Sequence, residues 1–259
     1  MSKNINFKNS LGPIYFNKNL YSSDKAKLKI ILKNILLSLN YKKDVFHSFS
    51  KNFNFNFKYS EIIKFNKYKS IILVGMGGSV LGAEAIHSVC RNRIKKNFTF
   101  FDNLDQLKIE KIKKSINFKS SFFIIISKSG NTLETLVNIN LLKDKINNKN
   151  TVIITEDSNN LLNKFANKKN ILLIEHKNYI GGRYSVLSEV GMIPAYFMGL
   201  KINHFRKNLL SFFKSKKKDF LIDTATKLSH IYKSKKINSI ILLNYAPEVN
   251  NFLYWCQQL

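Results

Sequence analysis

Residues 70–82 read SIILVGMGGSVLG, an apolar run that leads directly into a glycine-rich turn. An unbroken run of aliphatic residues is typical of a strand that is buried on both faces. Glycines allow the backbone to turn tightly and to approach a ligand closely. A helical pattern begins where the turn ends, so this stretch predicts the strand–turn–helix unit from which parallel α/β sheets are built.

The same alternation continues along the chain. Further apolar runs lie at residues 98–101, 122–126, 151–155 and 171–174, helical patterns lie near 80–92, 105–114, 132–145 and 158–166, and a long helix is expected at about 186–199. Continuous apolar strands that alternate with helices indicate a parallel sheet covered on both faces. We therefore predict an α/β fold, an αβα sandwich around a doubly wound parallel sheet.

The regions on either side of this sheet predict different structures. Residues 1–68 carry no strong strand signal. The spacing of apolar residues in 28–39 predicts a helix, whereas the alternation in 53–57 fits either a strand or a loop. Beyond about residue 205 a basic helical segment leads to the apolar run 239–243, which we interpret as the first strand of a second α/β unit.

The chain is accordingly predicted to have three parts. They are an N-terminal helical region at 1–68, a first α/β domain at 69–205 and the start of a second α/β domain at 206–259. A domain that stops one strand and one helix after it begins cannot close a core. We expect the chain to be incomplete at its C-terminal end.

The net charge of +27, from 43 basic and 16 acidic residues, first suggests a nucleic-acid-binding protein. The lysines are spread along the chain, however, and Lys, Asn, Ile and Phe are abundant together. All four have codons rich in A and T, so we attribute the charge to coding bias. We expect no nucleic-acid partner, although the charge would help to attract an anionic substrate.

Neither disulfide nor metal chemistry is indicated. Cys90 and Cys256 are far apart in the sequence, and the five histidines have no ligand spacing. The N-terminus lacks a signal-peptide apolar region, and the longest apolar runs are too short to cross a bilayer. We expect a cytoplasmic protein with no membrane partner.

Three segments rich in Gly, Ser and Thr each precede a predicted helix, where open parallel sheets bind their ligands. The first, GMGGSVLG at residues 75–82, is neither a dinucleotide fingerprint nor a P-loop. Ser79 is a natural helix N-cap, and the free amides at a helix start favour an anion. The alternative interpretation is a tight turn that serves only helix–sheet packing.

The second segment, SKSGNTLET at residues 127–135, combines four small hydroxyl side chains with one lysine. Hydroxyl and backbone donors at a helix start, with the helix dipole behind them, suit a phosphate dianion. An ordinary loop with Thr132 as N-cap and a surface Lys128 is the alternative.

The third segment, GGRYSVLS at residues 181–188, places Arg183 after two glycines. An arginine fixed in this way can stabilise negative charge that develops on an oxygen. A surface arginine after a turn is the alternative.

In this order and spacing the three segments resemble the phosphoglucose isomerase (glucose-6-phosphate isomerase) family. Its members carry Gly-x-Gly-Gly-Ser-x-x-Gly, Ser-Lys-(Ser/Thr)-x-x-Thr-x-Glu-Thr and Gly-Gly-Arg-(Tyr/Phe)-Ser-x-x-Ser. The final residues 255–259, WCQQL, resemble the Gln-Gln segment that precedes the family's Glu-Ser-x-Gly-Lys. The resemblance covers roughly residues 70–259 and implies sugar-isomerase domains, each an αβα sandwich around a parallel sheet.

The resemblance also implies an activity and a site. The family interconverts glucose 6-phosphate and fructose 6-phosphate through an enediolate, in glycolysis and gluconeogenesis, as a homodimer without metal or organic cofactor. By resemblance, Gly78 and Ser79 line the sugar-phosphate site, Ser127, Lys128, Ser129 and Thr132 hold the phosphate, Arg183 stabilises the intermediate, and Gln258 contacts the substrate.

One element of the family pattern lies outside this sequence. The family's base glutamate would follow Gln258 by a few residues, and the chain ends at Leu259. We therefore expect this chain alone not to isomerise. Two alternatives remain, a bifunctional phosphoglucose/phosphomannose isomerase and a non-catalytic phosphosugar-binding domain.

Overall fold

The computed structural model describes residues 17–207, 209–234 and 239–259, so the first sixteen residues of the predicted N-terminal region lie outside the described residues. The chain forms two compact units. One unit consists of the described residues up to Asn52 together with Asn203–Leu243, and the other of Phe53–Ile202 together with Asn244–Leu259. These units are defined by which residues pack together, and they do not test where the domains of the family begin and end. The domain boundaries predicted at residues 68 and 205 therefore remain a prediction.

Helices and strands alternate along residues 53–202, which hold all five strands of the described structure. Within the described residues the α-helices are α1 (Lys18–Ser38), α2 (Tyr59–Ile62), α3 (Leu81–Val89), α4 (Gln106–Ser115), α5 (Leu133–Leu142), α6 (Leu161–Lys168), α7 (Glu189–Phe197), α8 (His204–Lys207), α9 (Ser215–Lys233) and α10 (Asn250–Gln258). The strands are β1 (Ser70–Val74), β2 (Asn97–Phe101), β3 (Ser121–Ile126), β4 (Thr151–Thr155) and β5 (Leu172–Glu175).

The five strands form one parallel sheet in the order β2-β1-β3-β4-β5. The predicted αβα class is thereby confirmed. The chain adds β2 on one side of β1 and then β3, β4 and β5 on the other side, so the order of strand addition reverses between β1 and β3. These two parallel strands pair with Val74 opposite Ile125. A ligand crevice is expected at such a switch point, outside the carboxyl ends of the two strands.

Both faces of the sheet are covered, which is why its strands are continuously apolar. On one face Ile72, Val74, Phe123 and Ile125 belong to a cluster that also takes in the buried apolar residues of α5 and α6. On the other face Phe122 stacks on Phe65, with ring centroids 4.4 Å apart. Each fully buried side chain of this size contributes roughly 1.5–3 kcal/mol to the free energy of folding.

The other unit contains α1 and α9, which pack against each other. Polar contacts join them: Tyr21 donates a hydrogen bond to Asp223, and Lys233 Nζ lies 3.0 Å from Asp24 Oδ1. Burial, together with the neighbouring Asp223 carboxylate, raises the pKa of Tyr21 to about 12. The predicted helix at 28–39 is therefore confirmed as part of a longer one.

Two local predictions about helix starts were wrong. Ser79 lies in a 3-10 turn (Gly77–Ser79), and Val80 occupies the N-cap position of α3. A second 3-10 helix (Gly182–Leu187) takes up the start of the long helix that was expected from about 186, and α7 begins only at Glu189. Both turns let the backbone of a glycine-rich loop bend more tightly before the α-helix begins.

The apolar run 239–243 was predicted as a strand, and that prediction was wrong for this chain. The run has no regular secondary structure, and the side chains of Ile240 and Leu243 are 69% and 76% exposed. A strand needs a neighbour to pair its N–H and C=O groups. None of the described residues pairs with this run. Residues 53–57, for which strand and loop were both open, form a loop.

Among the described helices, none has both the length and the apolar character that crossing a membrane requires.

Candidate functional site

The three Gly-, Ser- and Thr-rich segments all lie at the carboxyl edge of the sheet. The first (75–82) follows β1, the second (127–135) follows β3, and the third (181–188) follows β5 after a short loop. Since β1 and β3 are adjacent, the first two segments flank the switch point. This is the place where an open parallel sheet binds its ligand.

The first and third segments touch through their backbones. A Cβ added to Gly78 would lie 2.4 Å from the carbonyl carbon of Gly182 and 2.7 Å from the amide nitrogen of Arg183. Ser185 Oγ donates to the Gly182 carbonyl at 2.6 Å and to the Gly78 carbonyl at 3.4 Å. The glycine at position 78 therefore permits the approach that brings Arg183 next to the first segment.

Gln258 reaches the same place from the end of the chain, because α10 packs along α3. Its Nε2 lies 2.9 Å from where a Cβ of Gly77 would stand, and Gly77 has a left-handed φ of +51°. The Oε1 of Gln258 is buried, and no described residue donates to it. A ligand hydroxyl could supply that donor.

Three hydroxyls of the second segment converge. Ser127 Oγ lies 2.9 Å and Ser129 Oγ 3.5 Å from Thr132 Oγ1. Thr132 holds the N-cap position of α5, yet its side chain makes no capping hydrogen bond. The cluster thus stands at a helix N-terminus whose first amides are not capped by this side chain, and that combination suits an anion.

The buried side chain of Asn160 packs against Gly130 and supports the shape of this second segment. Gly130 has a φ of +66°, and a Cβ there would lie 2.0 Å from Asn160 Oδ1. Asn160 is 2% exposed and donates to Thr155 Oγ1, at 3.3 Å, and to the Glu156 carbonyl, at 3.1 Å. Its Oδ1 accepts a hydrogen bond from the Asn163 amide at 2.9 Å. The hydroxyl cluster is therefore pre-organised by a buried amide on the loop after β4.

Lys128 does not point at the hydroxyl cluster in this structure. Its Nζ lies 3.4 Å from Glu156 Oε1 and donates to the Asn178 carbonyl at 2.9 Å. Its backbone carbonyl accepts hydrogen bonds from the loop after β4, including the Glu156 amide at 3.0 Å. A side-chain contact between Lys128 and a ligand phosphate would need the ammonium to exchange Glu156 for the phosphate, and it remains a prediction.

Arg183 is exposed, and its side chain forms no ion pair or hydrogen bond with any residue that the structure describes. Its backbone is held against Gly78. The backbone of Arg183 is therefore fixed, and the five N–H donors of its guanidinium are available to a ligand.

Sequence reasoning missed three residues that shape this site: Asn160, Lys177 and Glu189. Glu189 is fully buried, and its Oε1 lies 3.0 Å from Lys177 Nζ. In a chain rich in Lys and Asn, single residues of these types carry no signal. A glutamate directly after the N-cap Ser188 looks like an ordinary first-turn acid, so only the three-dimensional structure reveals its partner.

His176 lies directly after β5 and is buried. Burial lowers the pKa of His176, the nearby Lys128 lowers it further, and a hydrogen bond to the Lys177 carbonyl and the Glu189 and Glu156 carboxylates act in the opposite direction. The folded state therefore favours the neutral ring. Its contribution to stability is complete above the ordinary histidine value of 6.5 and is lost as the pH falls below it.

We expect the free energy of unfolding, measured with urea, to decrease between pH 6.5 and about pH 5. Part of this decrease comes from His87, whose pKa is also lowered by burial. His176→Gln cannot be protonated and should lose less stability over the same interval. An unchanged slope in this variant would contradict the assignment to His176.

Comparison with known proteins relates this chain to one family. The family model for phosphoglucose isomerase matches residues 25–227. A glucose-6-phosphate isomerase from Methanocaldococcus jannaschii is 31% identical over 202 residues, which cover 75% of this chain and 50% of the relative. One from Borrelia garinii is 30% identical over 212 residues, covering 74% of this chain and 40% of the relative. The chain thus spans half or less of the length of these curated relatives.

Solved structures support the fold. A hypothetical protein from Thermus thermophilus aligns with a TM-score of 0.72 and 18% identity over 93% of this chain and 60% of its own. A glucose-6-phosphate isomerase from Chlamydia trachomatis aligns with a TM-score of 0.50 and 21% identity over 66% of this chain and 33% of its own. At these identities the likeness shows a shared fold.

Proposed function

The chain belongs to the phosphoglucose isomerase family, and from that premise we propose that its α/β unit binds a hexose 6-phosphate and takes part in the interconversion of glucose 6-phosphate and fructose 6-phosphate. One observation carries the proposal. A hydroxyl cluster at the start of α5 and an available cation, Arg183, stand at the same edge of the sheet as the glycine-rich turn after β1. The cluster suits the phosphate, and the cation suits the reacting end of the sugar.

The phosphate is assigned to the second segment. Ser127, Ser129 and Thr132 supply hydroxyl donors, and the first amides of α5 add backbone donors and a favourable dipole. Binding energy from this end, which is remote from the chemistry, holds the sugar in a reactive geometry. Gly78, Ser79 and Gln258 then line the opposite end of the sugar.

The reaction moves one proton between neighbouring carbons. A base removes the proton from C2 of open-chain glucose 6-phosphate, the electron pair forms a C1–C2 double bond, and the carbonyl oxygen becomes the enediolate oxygen. Returning a proton to C1, while the hydroxyl proton passes from the C2 oxygen to the C1 oxygen, makes the C2 oxygen the carbonyl and gives fructose 6-phosphate. A sugar C–H is a weak acid, so the enediolate needs a fixed cation, and we assign this role to Arg183.

The base is not assigned to the carboxylates beside this site. Glu156 is paired with Lys128, and Glu189 is buried against Lys177. We therefore expect residues 1–259 alone to bind the substrate without isomerising it. Turnover of fructose 6-phosphate by this chain, in a coupled assay and above the rate of a heat-denatured sample, would contradict this part of the proposal.

The same engaged carboxylates favour a second candidate function, a non-catalytic phosphosugar-binding domain. Assays of the full natural protein that includes this chain separate the two candidate functions. Isomerisation by the complete protein supports the enzyme, whereas tight binding without turnover supports the binding domain. Assays with mannose 6-phosphate then test a bifunctional isomerase, and light scattering tests the homodimer that we propose for the complete protein.

Loss of the hydroxyl cluster should weaken phosphosugar binding selectively. For Ser127→Ala and Thr132→Val we expect the dissociation constant for fructose 6-phosphate to rise roughly tenfold each, since a hydrogen bond to a charged group contributes about 1.5–3 kcal/mol. Isothermal titration calorimetry measures this change. Ser120→Ala is the matched control, because Ser120 adjoins the other end of β3 and, among the described residues, its hydroxyl bonds only to the Asn117 carbonyl. Equal losses in all three variants would contradict the phosphate assignment.

A further inference from the structure

The segment that carries Arg183 is closed at its two ends by a buried ion pair. Lys177 lies just after β5, at one end of the segment, and Glu189 is the first residue of α7, at the other end. The Lys177 Nζ lies 3.0 Å from Glu189 Oε1, with the two side chains 11% and 0% exposed. Arg183 lies at the middle of the intervening stretch, which reaches the first segment through Gly182.

Asn56 ties this ion pair to the sheet. Its backbone amide donates to Glu189 Oε1 at 2.7 Å, and its Oδ1 accepts a hydrogen bond from Lys177 Nζ. Its Nδ2 donates to the carboxylate and the carbonyl of Glu175, the last residue of β5, at 3.1 and 3.3 Å. Asn56 thus connects both ends of the Arg183 segment to the end of β5 by hydrogen bonds.

Stability alone is a poor explanation for this pair. A buried ion pair costs desolvation energy, and well-packed apolar residues of similar size often serve stability equally well or better. Glu189 Oε2 is also buried, and no described residue donates to it. A pair of this kind does fix one geometry, because each charged group tolerates only a narrow range of partner positions.

We infer that Lys177 and Glu189 are positioning residues, which hold Arg183 where it meets negative charge on the sugar end of a bound hexose 6-phosphate. The inference rests on the proposed function. Neither residue touches the ligand. Their effect is transmitted through the backbone of residues 178–188, whose midpoint rests on Gly78.

Two ligands that differ only at the sugar end provide the readout. Gluconate 6-phosphate carries a carboxylate at C1, as a stable stand-in for the enediolate charge, and sorbitol 6-phosphate carries a neutral hydroxyl there. Both share the phosphate. The wild-type chain should prefer gluconate 6-phosphate roughly tenfold, because a guanidinium–carboxylate contact contributes about 1.5–3 kcal/mol.

Glu189→Gln keeps the size of the side chain and removes its charge. We expect it to weaken binding of gluconate 6-phosphate at least fivefold, an approximate value for a misplaced charge contact, and to change sorbitol 6-phosphate binding by less than about twofold. In the Arg183→Gln background, Glu189→Gln should have no further effect on either ligand. A residue that supports only the fold would weaken both ligands together and would act independently of Arg183.

Two further variants keep the test decisive. Lys177→Met combined with Glu189→Leu replaces the ion pair by an apolar pair and leaves no buried charge unpaired, so it is the second variant to test if Glu189→Gln fails to fold, and the same selective loss is expected. Lys169→Met is the control, since Lys169 Nζ donates to the carbonyls of Lys143 and Ile146, away from the Arg183 segment.

The outcomes separate this inference from the proposed function. A wild-type chain that binds neither ligand overturns both. A wild-type chain that binds both ligands equally, or variants that weaken both to the same extent, overturns the positioning role and leaves the phosphate site intact. Loss confined to gluconate 6-phosphate supports it.

Discussion

Gly130→Ala is expected to abolish measurable phosphosugar binding and to lower the free energy of unfolding by roughly 2–5 kcal/mol, since an alanine in the left-handed region costs about 1–2 kcal/mol and a buried polar group left unpaired costs about 1–3 kcal/mol more. The φ of Gly130 is +66°, and the new Cβ would lie 2.0 Å from Asn160 Oδ1. Asn160 would have to leave its hydrogen bonds to Thr155 and Glu156. The hydroxyl cluster would then lose the support that fixes its shape.

Gly199→Ala is the control that separates the backbone strain of a left-handed alanine, which both variants share, from the displacement of Asn160, which only Gly130→Ala causes. Gly199 has a φ of +79°, and nothing lies within 4 Å of an added Cβ. This variant should lose only the backbone contribution of about 1–2 kcal/mol and should bind fructose 6-phosphate normally. Urea unfolding and calorimetry measure both quantities. If the two variants were equally destabilised and both still bound, Asn160 would have no role in shaping the phosphate segment.

Gly78→Ala is expected to weaken binding of hexose 6-phosphates roughly 100-fold, equivalent to about 2.7 kcal/mol. Its Cβ would lie 2.4 Å from the Gly182 carbonyl carbon and 2.7 Å from the Arg183 amide, and backbone atoms cannot move aside as the end of a flexible side chain can. The first and third segments must separate, so Arg183 leaves the sugar end while the hydroxyl cluster stays in place.

Comparing the binding of inorganic phosphate with that of hexose 6-phosphates shows which segment the Gly78→Ala variant disturbs. Gly78→Ala should bind inorganic phosphate as the wild-type chain does, within about twofold, because the second segment does not depend on Gly78. Gly182→Ala is the control for stability, since an added Cβ there meets nothing within 4 Å. Unchanged binding of fructose 6-phosphate by Gly78→Ala would show that contact between the first and third segments does not matter for the ligand.

Much of the fold could be predicted from the sequence because its strands are buried on both faces. Runs such as Phe122–Ile126 are continuously apolar, and no exposed helix would keep that pattern. The positions of the three Gly-, Ser- and Thr-rich segments followed from the rule that the carboxyl ends of parallel strands lie at one edge of the sheet. The strand predicted at 239–243 failed for a related reason, because an apolar run specifies a strand only where another strand is present to pair with it.

The parts that sequence reasoning missed depend on contacts between distant residues. Asn160 is 30 residues beyond Gly130, and its role depends on the buried space behind the second segment. Asn56 meets Glu189 across a sequence separation of 133 residues. Pairing of this kind is fixed by the packing of the sheet, and residue type alone does not reveal it. Lys128 illustrates the reverse case, since its motif suggested phosphate and its ammonium lies beside Glu156.

The central claim is that the α/β unit recognises a phosphorylated sugar at the switch point between β1 and β3. The most direct test is calorimetric titration of residues 1–259 with fructose 6-phosphate and, in parallel, with unphosphorylated fructose. We expect saturable binding of fructose 6-phosphate at one site, weakened roughly 100-fold in Ser127→Ala combined with Thr132→Val, and no measurable binding of fructose. Equal binding of the two sugars, or binding of neither, would contradict the claim.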